Sequence, residues 1–201
     1  MKIYKSLIIL LIYIFVLFLI NFIHYRYFKV DVVFYAAIAD GFIASIVIGL
    51  MLWLMNYFSI FNHFEKTLLF IILIIGGYTF AISIPTVLDR SLSIYILEKL
   101  QQRGGSILEN KIVEVFRKEY LIEHRLVDVR LTEQLESGTI EIKNGCVHLT
   151  AKGNLIATWT RLFRQNWLPK QRLLSGEYTD KLTNPFKNSV TITDYLCNKY
   201  E

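Results

Sequence analysis

The sequence predicts an α-helical membrane protein in which three transmembrane helices precede a small α+β domain. Three observations carry this. Charge is split along the chain: residues 1–88 hold five of the 22 Lys/Arg and three of the 17 Asp/Glu, and the rest of the chain holds the others. Stretches 6–23, 41–61 and 67–84 carry no formal charge and run for 18, 21 and 18 residues. At ~1.5 Å rise per residue each comes close to, or reaches, the roughly 30 Å of a hydrocarbon core. From Asp89 onward apolar residues recur with helical spacing and are punctuated by Gly-Gly and Asn-Gly, as in a water-soluble domain large enough for one small core.

The first span begins after Lys2 and Lys5. A charged start before an apolar run also opens a secretory signal peptide, but this run is long, rich in Ile, Leu and Phe, and ends without a small-x-small cleavage pattern, so a retained helix is expected. The connection that follows holds Arg26, Lys29, Tyr25, Tyr27 and Phe28, a composition suited to a headgroup interface. In the second span Ala37, Gly41, Ser45 and Gly49 recur every fourth residue. They form a strip of small side chains that lets helices approach closely. Asp40 lies beside that strip and is expected to face protein. It is the candidate intramembrane polar residue, either proton- or cation-responsive or bonded locally at the interface. The third span offers Gly76, Gly77 and Ala81 for packing and passes through Pro85 directly into the charged half.

Three spans place the chain ends on opposite sides. Lys2, Lys5 and Lys66 flank one side; Arg26, Lys29, Arg90, Lys99 and Arg103 flank the other. Five against three puts the C-terminal half in the cytoplasm, as a multi-pass protein of a bacterial-type inner membrane. The two cysteines, Cys146 and Cys197, are expected to be unrelated thiols.

The C-terminal half reads as three helices, a hairpin and a helix. The first ends at Gly104-Gly105. Ser106 and Glu109 form a capping-box pattern for the second, with Ile112, Val113, Phe116 and Tyr120 on its apolar side. The third covers about 123–137, with Val127, Leu131 and Leu135 as its buried stripe, and stops at Gly138. Stretches 139–142 and 146–149 flank Asn144-Gly145, a strong hairpin signal. Thr150 caps a last helix carrying Leu155, Ile156, Trp159, Leu162 and Phe163.

The run Leu131-Thr-Glu-Gln-Leu-Glu-Ser-Gly-Thr-Ile140, then Asn144-Gly145, then Leu149-Thr-Ala-Lys-Gly153, resembles the recognition helix and wing of the winged-helix superfamily, in its MarR- and PadR-like forms. The resemblance covers about 91–163 and does not extend to the three-span anchor. It implies a winged-helix fold and either DNA binding or a protein-interaction role, since fold alone does not decide function. The domains expected are 1–88, the anchor; 89–165, the winged-helix domain; and 166–201, a basic/aromatic segment with a polar tail that has one possible strand at 189–193.

Charge argues against DNA. Duplex affinity comes mostly from Lys/Arg on phosphate, yet stretch 123–137 carries two arginines against four carboxylates, and 89–160 holds ten basic and ten acidic residues. The basic excess sits instead at Arg161, Arg164, Lys170 and Arg172, interleaved with Trp159, Phe163, Trp167 and Leu168 and free of acids. That mixture suits an anionic membrane surface; the competing interpretation is that Trp159 and Phe163 are core. No metal-ligand spacing, phosphate loop or nucleophile motif is present, so neither enzyme activity nor a cofactor is expected. The expected function is a non-catalytic accessory or scaffold module that binds a protein partner at the membrane, with lipids as the other partner and a membrane-bound regulator as the alternative.

Overall fold

The computed structural model describes residues 2–187 and Cys197. Helices α1 (Lys2–Tyr27) and α2 (Val33–Leu54) are followed by α3 (His63–Ala81), which runs through a wide π-helical turn, Ile82–Thr86, into the short α4 (Val87–Arg90). By length and composition, α1, α2 and the stretch His63–Arg90 can each cross a membrane.

Local chemistry sets the ends of these helices. Asn62 and Glu65 make a reciprocal capping box: the Asn62 side chain accepts from Glu65 N at 2.8 Å, and the Glu65 carboxylate accepts from Asn62 N at 3.0 Å. Lys2 reaches the same carboxylate at 2.7 Å, which brings the start of α1 to the start of α3. At the other end Pro85 has no N–H to offer the Ala81 carbonyl one turn earlier. The hydroxyl of Thr86 donates to that carbonyl at 2.7 Å, and the widened turn is the geometry that lets it.

The bundle core is built from Ile9, Tyr13 and Leu17 of α1, Ala44, Ile48 and Leu52 of α2, and Leu69, Leu73 and Phe80 of α3, closed at one end by Phe58 and Phe61. The small strip of α2 sits inside it: Ala37, Gly41, Ser45 and Gly49 are all buried. A Cβ on Gly41 would stand 3.0 Å from the Gly77 Cα, and one on Gly49 would stand 2.7 Å from the Phe70 ring. The helices touch backbone to backbone, the contact that small residues permit and dispersion rewards.

Contacts divide the chain into two compact units, Met1–Val129 and Arg130–Glu201. Beyond the bundle, the first unit holds α5 (Leu92–Gln102), a helical stretch containing α6 (Ile112–Val115) and α7 (Leu121–Glu123), and the start of α8 (Leu126–Glu136). Ser91 caps α5 by accepting from Ile94 N at 3.2 Å, and Gly104 and Gly105 end it with positive φ. Ser106 does not form the expected capping box. The next helical stretch begins at Glu109, with the extended Leu108 and not Ser106 at its cap and no side-chain bond there.

The second unit carries two antiparallel hairpins. In the first, β1 (Ile140–Lys143) pairs with β2 (Cys146–Leu149) in the register Ile140↔Leu149 to Lys143↔Cys146. The turn residues Asn144 and Gly145 both have positive φ, as a two-residue primed turn requires. Thr150 then caps α9 (Ala151–Trp167), accepting from Gly153 N at 3.1 Å. The second hairpin, β3 (Arg172–Leu174) with β4 (Glu177–Thr179), turns at Ser175-Gly176; it falls within the expected basic/aromatic segment and polar tail, where no hairpin is expected from the sequence. The strand expected at 189–193 lies outside the described residues.

Two further expectations are corrected. Val127 and Leu135 of α8 are exposed, while the carboxylate-bearing Glu133 is buried and ion-paired to Arg130 at 2.6 Å; periodicity located an apolar stripe but not the side that packs. Cys146 and Cys197 are bonded to each other, because the chain returns across 51 residues to β2, a proximity that two isolated cysteines in a sequence do not reveal.

Candidate functional site

At the end of the bundle nearest the α1–α2 turn, Asp40 is fully buried. It sits two turns into α2 on the side facing α1. Its Oδ2 accepts from Asn21 Nδ2 at 2.8 Å, and its Oδ1 lies 2.6 Å from His24 Nδ1. Asn21 and His24 are three residues apart on α1 and so share a face, which is why one carboxylate can receive both. Tyr25 closes the turn by donating to the Val33 carbonyl at 3.2 Å, and the Arg90 guanidinium lies 5.7 Å from the Phe34 ring. One helical turn deeper, Ser45 donates to the Gly41 carbonyl at 2.7 Å and stands 3.4 Å from the Tyr13 hydroxyl.

The Asp40 carboxylate is bonded across the bundle to α1, not locally at its own helix start. A buried carboxylate in an apolar bundle is costly unless it is paired, and His24 and Asn21 supply the partners. The His24 ring is partly exposed, whereas the Asp40 carboxylate is not. Asn21 and His24 were not singled out in the sequence. Their i, i+3 spacing near the end of an apolar helix was the signal that could have found them. Among the described residues no cluster of His, Cys, Asp or Glu could hold a metal ion.

A second polar cluster links α5 to the helical stretch 109–123. Lys99, only 6% exposed, donates to Glu123 at 2.7 Å and to Glu119 at 2.8 Å. Arg103 also meets Glu119, at 2.6 Å, and the Tyr95 hydroxyl donates to Glu123 at 2.9 Å. His124 lies against the rings of Tyr120 and Tyr95. The hydrogen bonds to Glu119 and Glu123 push the Lys99 ammonium above its ordinary range. The same lysine holds both carboxyls below theirs. Burial first, then the bond to Glu123, pushes the Tyr95 phenol up. Every member has a partner of opposite charge or a ring contact, the pattern of a clasp between helices and not of a reactive group.

The candidate surface residues fall on the second unit. Arg161 and Arg164 lie on α9, Trp167 ends it, Lys170 follows it, and Arg172 starts β3. Trp159, Phe163 and Trp167 are 66%, 40% and 78% exposed, so Trp159 and Phe163 are not core.

Comparison of the chain with protein-family models, curated proteins and solved structures finds no match. The class of the molecule therefore rests on its own architecture: a mostly helical chain with three span-length apolar helices and two small hairpins.

Proposed function

We propose that this chain is a membrane-anchored, non-catalytic accessory or scaffold module whose winged-helix-like region binds a protein partner at the membrane, with the C-terminal half in the cytoplasm. The observation that carries this reading is the state of α8, the helix expected to enter a DNA groove. The arginine just before it and the one within it are engaged in local ion pairs, Arg125 with Asp128 at 2.8 Å and Arg130 with Glu133 at 2.6 Å, and Val127, Val129 and Leu135 are exposed. A surface that is apolar with acidic residues, its cations already neutralised, suits a protein partner; duplex DNA asks for free Lys/Arg on phosphate. The order of helix, Gly138 stop, primed hairpin and capped helix supports the winged-helix resemblance.

Affinity purification of the full chain in mild detergent tests the reading. A stoichiometric co-eluting protein is expected, lost when Val127 and Leu135 are both replaced by Glu. A specific DNA site bound in the nanomolar range at ~150 mM salt, the affinity usual for sequence readers, moves the regulator to first place.

Two observations oppose each other on the side of the membrane. The Lys/Arg count of five against three favours the cytoplasm; the Cys146–Cys197 bond belongs to an oxidising compartment. A reporter fused after Glu201 that works only in the cytoplasm should be active under the proposed orientation. Activity of a reporter restricted to the outside, together with thiols that resist alkylation in cells until reduced, reverses it.

A further inference from the structure

Helix α9 buries only its glycine and leaves its large rings exposed. Gly153 fits against the first hairpin so closely that an added Cβ would stand 2.0 Å from the Thr139 carbonyl oxygen, and this contact fixes which side of the helix looks inward. Beside Gly153 the helix borders an open cleft, lined by Ile156, Ala157, Thr160, Arg161 and Arg164 together with Thr139 and Phe186. Away from the cleft the helix shows large apolar side chains. Leu155, Trp159, Phe163 and Trp167 are exposed there. The three rings, four residues apart, form one stacked row with centroids 5.6 Å and 6.2 Å apart.

We propose that this outward face docks on an anionic bilayer surface, with the ring row at the boundary between headgroups and acyl chains. The inference rests on the reading that the three long helices span a bilayer. Charge complementarity selects the occupant. Between Glu141 and Glu177 the chain holds six Lys/Arg and no carboxylate, and among the described residues no carboxylate pairs with Arg161, Arg164, Lys170 or Arg172. Arg164 follows Phe163 in the chain and lies between the ring row and the cleft that it also lines, and Lys170 and Arg172 continue past Pro169 where the helix has ended. Arg161 lies on the side away from the rings and contributes only through the longer-range field. An acid-free cationic surround matches a continuous plane of lipid phosphate, and Trp and Phe rings are the side chains that settle at its boundary. The anchor keeps the domain at high effective concentration beside that plane.

The test uses the full chain reconstituted in vesicles, with lipids brominated near the headgroup end of the acyl chain as contact quenchers of tryptophan. A chain with Trp53→Phe and Trp159→Phe reports Trp167 alone. A chain with Trp159→Phe and Trp167→Phe reports Trp53, an outward residue of α2, and checks that the bundle is inserted. Trp53 should be quenched in both phosphatidylglycerol-containing and purely phosphatidylcholine vesicles; Trp167 should be quenched strongly only in the anionic ones. Each of Arg164, Lys170 and Arg172 changed to Gln should lower the docked-to-free ratio roughly fivefold, with Arg161→Gln having the smallest effect. Arg164→Lys with Arg172→Lys should restore quenching, which separates charge from folding. Unquenched Trp167 in both vesicle types beside a quenched Trp53 overturns the inference without touching the spanning helices. Protection of Trp167 that follows protein density instead of lipid charge assigns the face to a second copy and also overturns it. Failure of Trp53 to quench in either vesicle overturns the spanning reading itself and the docking with it.

Discussion

In the three-helix bundle Leu7, Phe15, Phe22 and Ile75 point outward; in α9 Leu155, Trp159 and Trp167 do the same. The two regions differ in what lies behind that surface. The bundle turns its apolar side chains outward and also packs an apolar core of Ile9, Leu17, Ile48 and Leu73 behind them, which is the pattern of a structure whose surroundings are as apolar as its interior. Helix α9 has no apolar core behind it: only Gly153 is buried, and its rings are exposed. Exposure of a leucine is therefore uninformative by itself; whether an apolar core lies behind it distinguishes a helix bathed in lipid from one waiting for a surface.

That contrast can be broken by substitution, most severely in the bundle. Gly77→Leu should cost the most: its Cβ would stand 2.7 Å from the Tyr13 hydroxyl and 2.9 Å from the Gly41 Cα. Backbone cannot yield as a flexible side chain does, so a loss of about 3 kcal/mol or more is expected, read from unfolding of the detergent-solubilised chain in increasing SDS. Retention of wild-type stability would mean that the Gly41–Gly77 contact is not the one that holds α2 to α3.

Removing the acceptor at the end of the bundle should cost less. Asp40→Ala removes the acceptor that Asn21 and His24 share; both are only partly buried, so a loss of about 1 kcal/mol is expected, and Asp40→Asn, which keeps an acceptor, should fall below that. Equal losses for the two would show that the carboxylate's charge, and not its bonds, matters there.

The Lys99 clasp should respond to acid. Glu119 and Glu123 have lowered pKa values in the folded state. Their contribution is complete above the ordinary carboxyl pKa of about 4.3 and disappears as pH falls through the lowered values. Lys99 is raised, so its contribution survives neutral pH and is lost only in strong alkali. Amide exchange in α5 should be flat from about pH 5 to 8, after correction for intrinsic rates, and rise below about pH 4. Glu123→Gln should shift that onset.

The smallest effect belongs to α9. Trp159→Ser should change stability by no more than about 0.5 kcal/mol in detergent, because the ring is exposed and fills no cavity. A drop as large as that of a core aromatic would show that the face is already covered within the folded chain.

Much of this was legible in the residues. The three long helices followed from uncharged length, and the small strip of α2 from its four-residue repeat. The first hairpin followed from Asn144-Gly145, because primed turns demand positive φ and few residues accept it. The second hairpin had a weaker signal, Ser175-Gly176 between Leu173, Leu174 and Tyr178, and was passed over as tail. The burial of Asp40 was anticipated from its place beside the strip, but its partners were not, since Asn21 and His24 approach it only once α1 and α2 cross.

Local sequence determined what each segment is: helix length, caps and turn types depend on side chains within a few residues of one another. Tertiary structure decided which side of each segment faces inward. The stripes of α8 and α9 are readable as periodicity, but periodicity is symmetric with respect to inside and outside. Only the Gly153–Thr139 contact and the buried Glu133 settle the side. The Cys146–Cys197 bond and the Asp40 cluster likewise join residues 51 and at least 16 apart, and such pairings arise from the path of the folded chain, which no local pattern encodes.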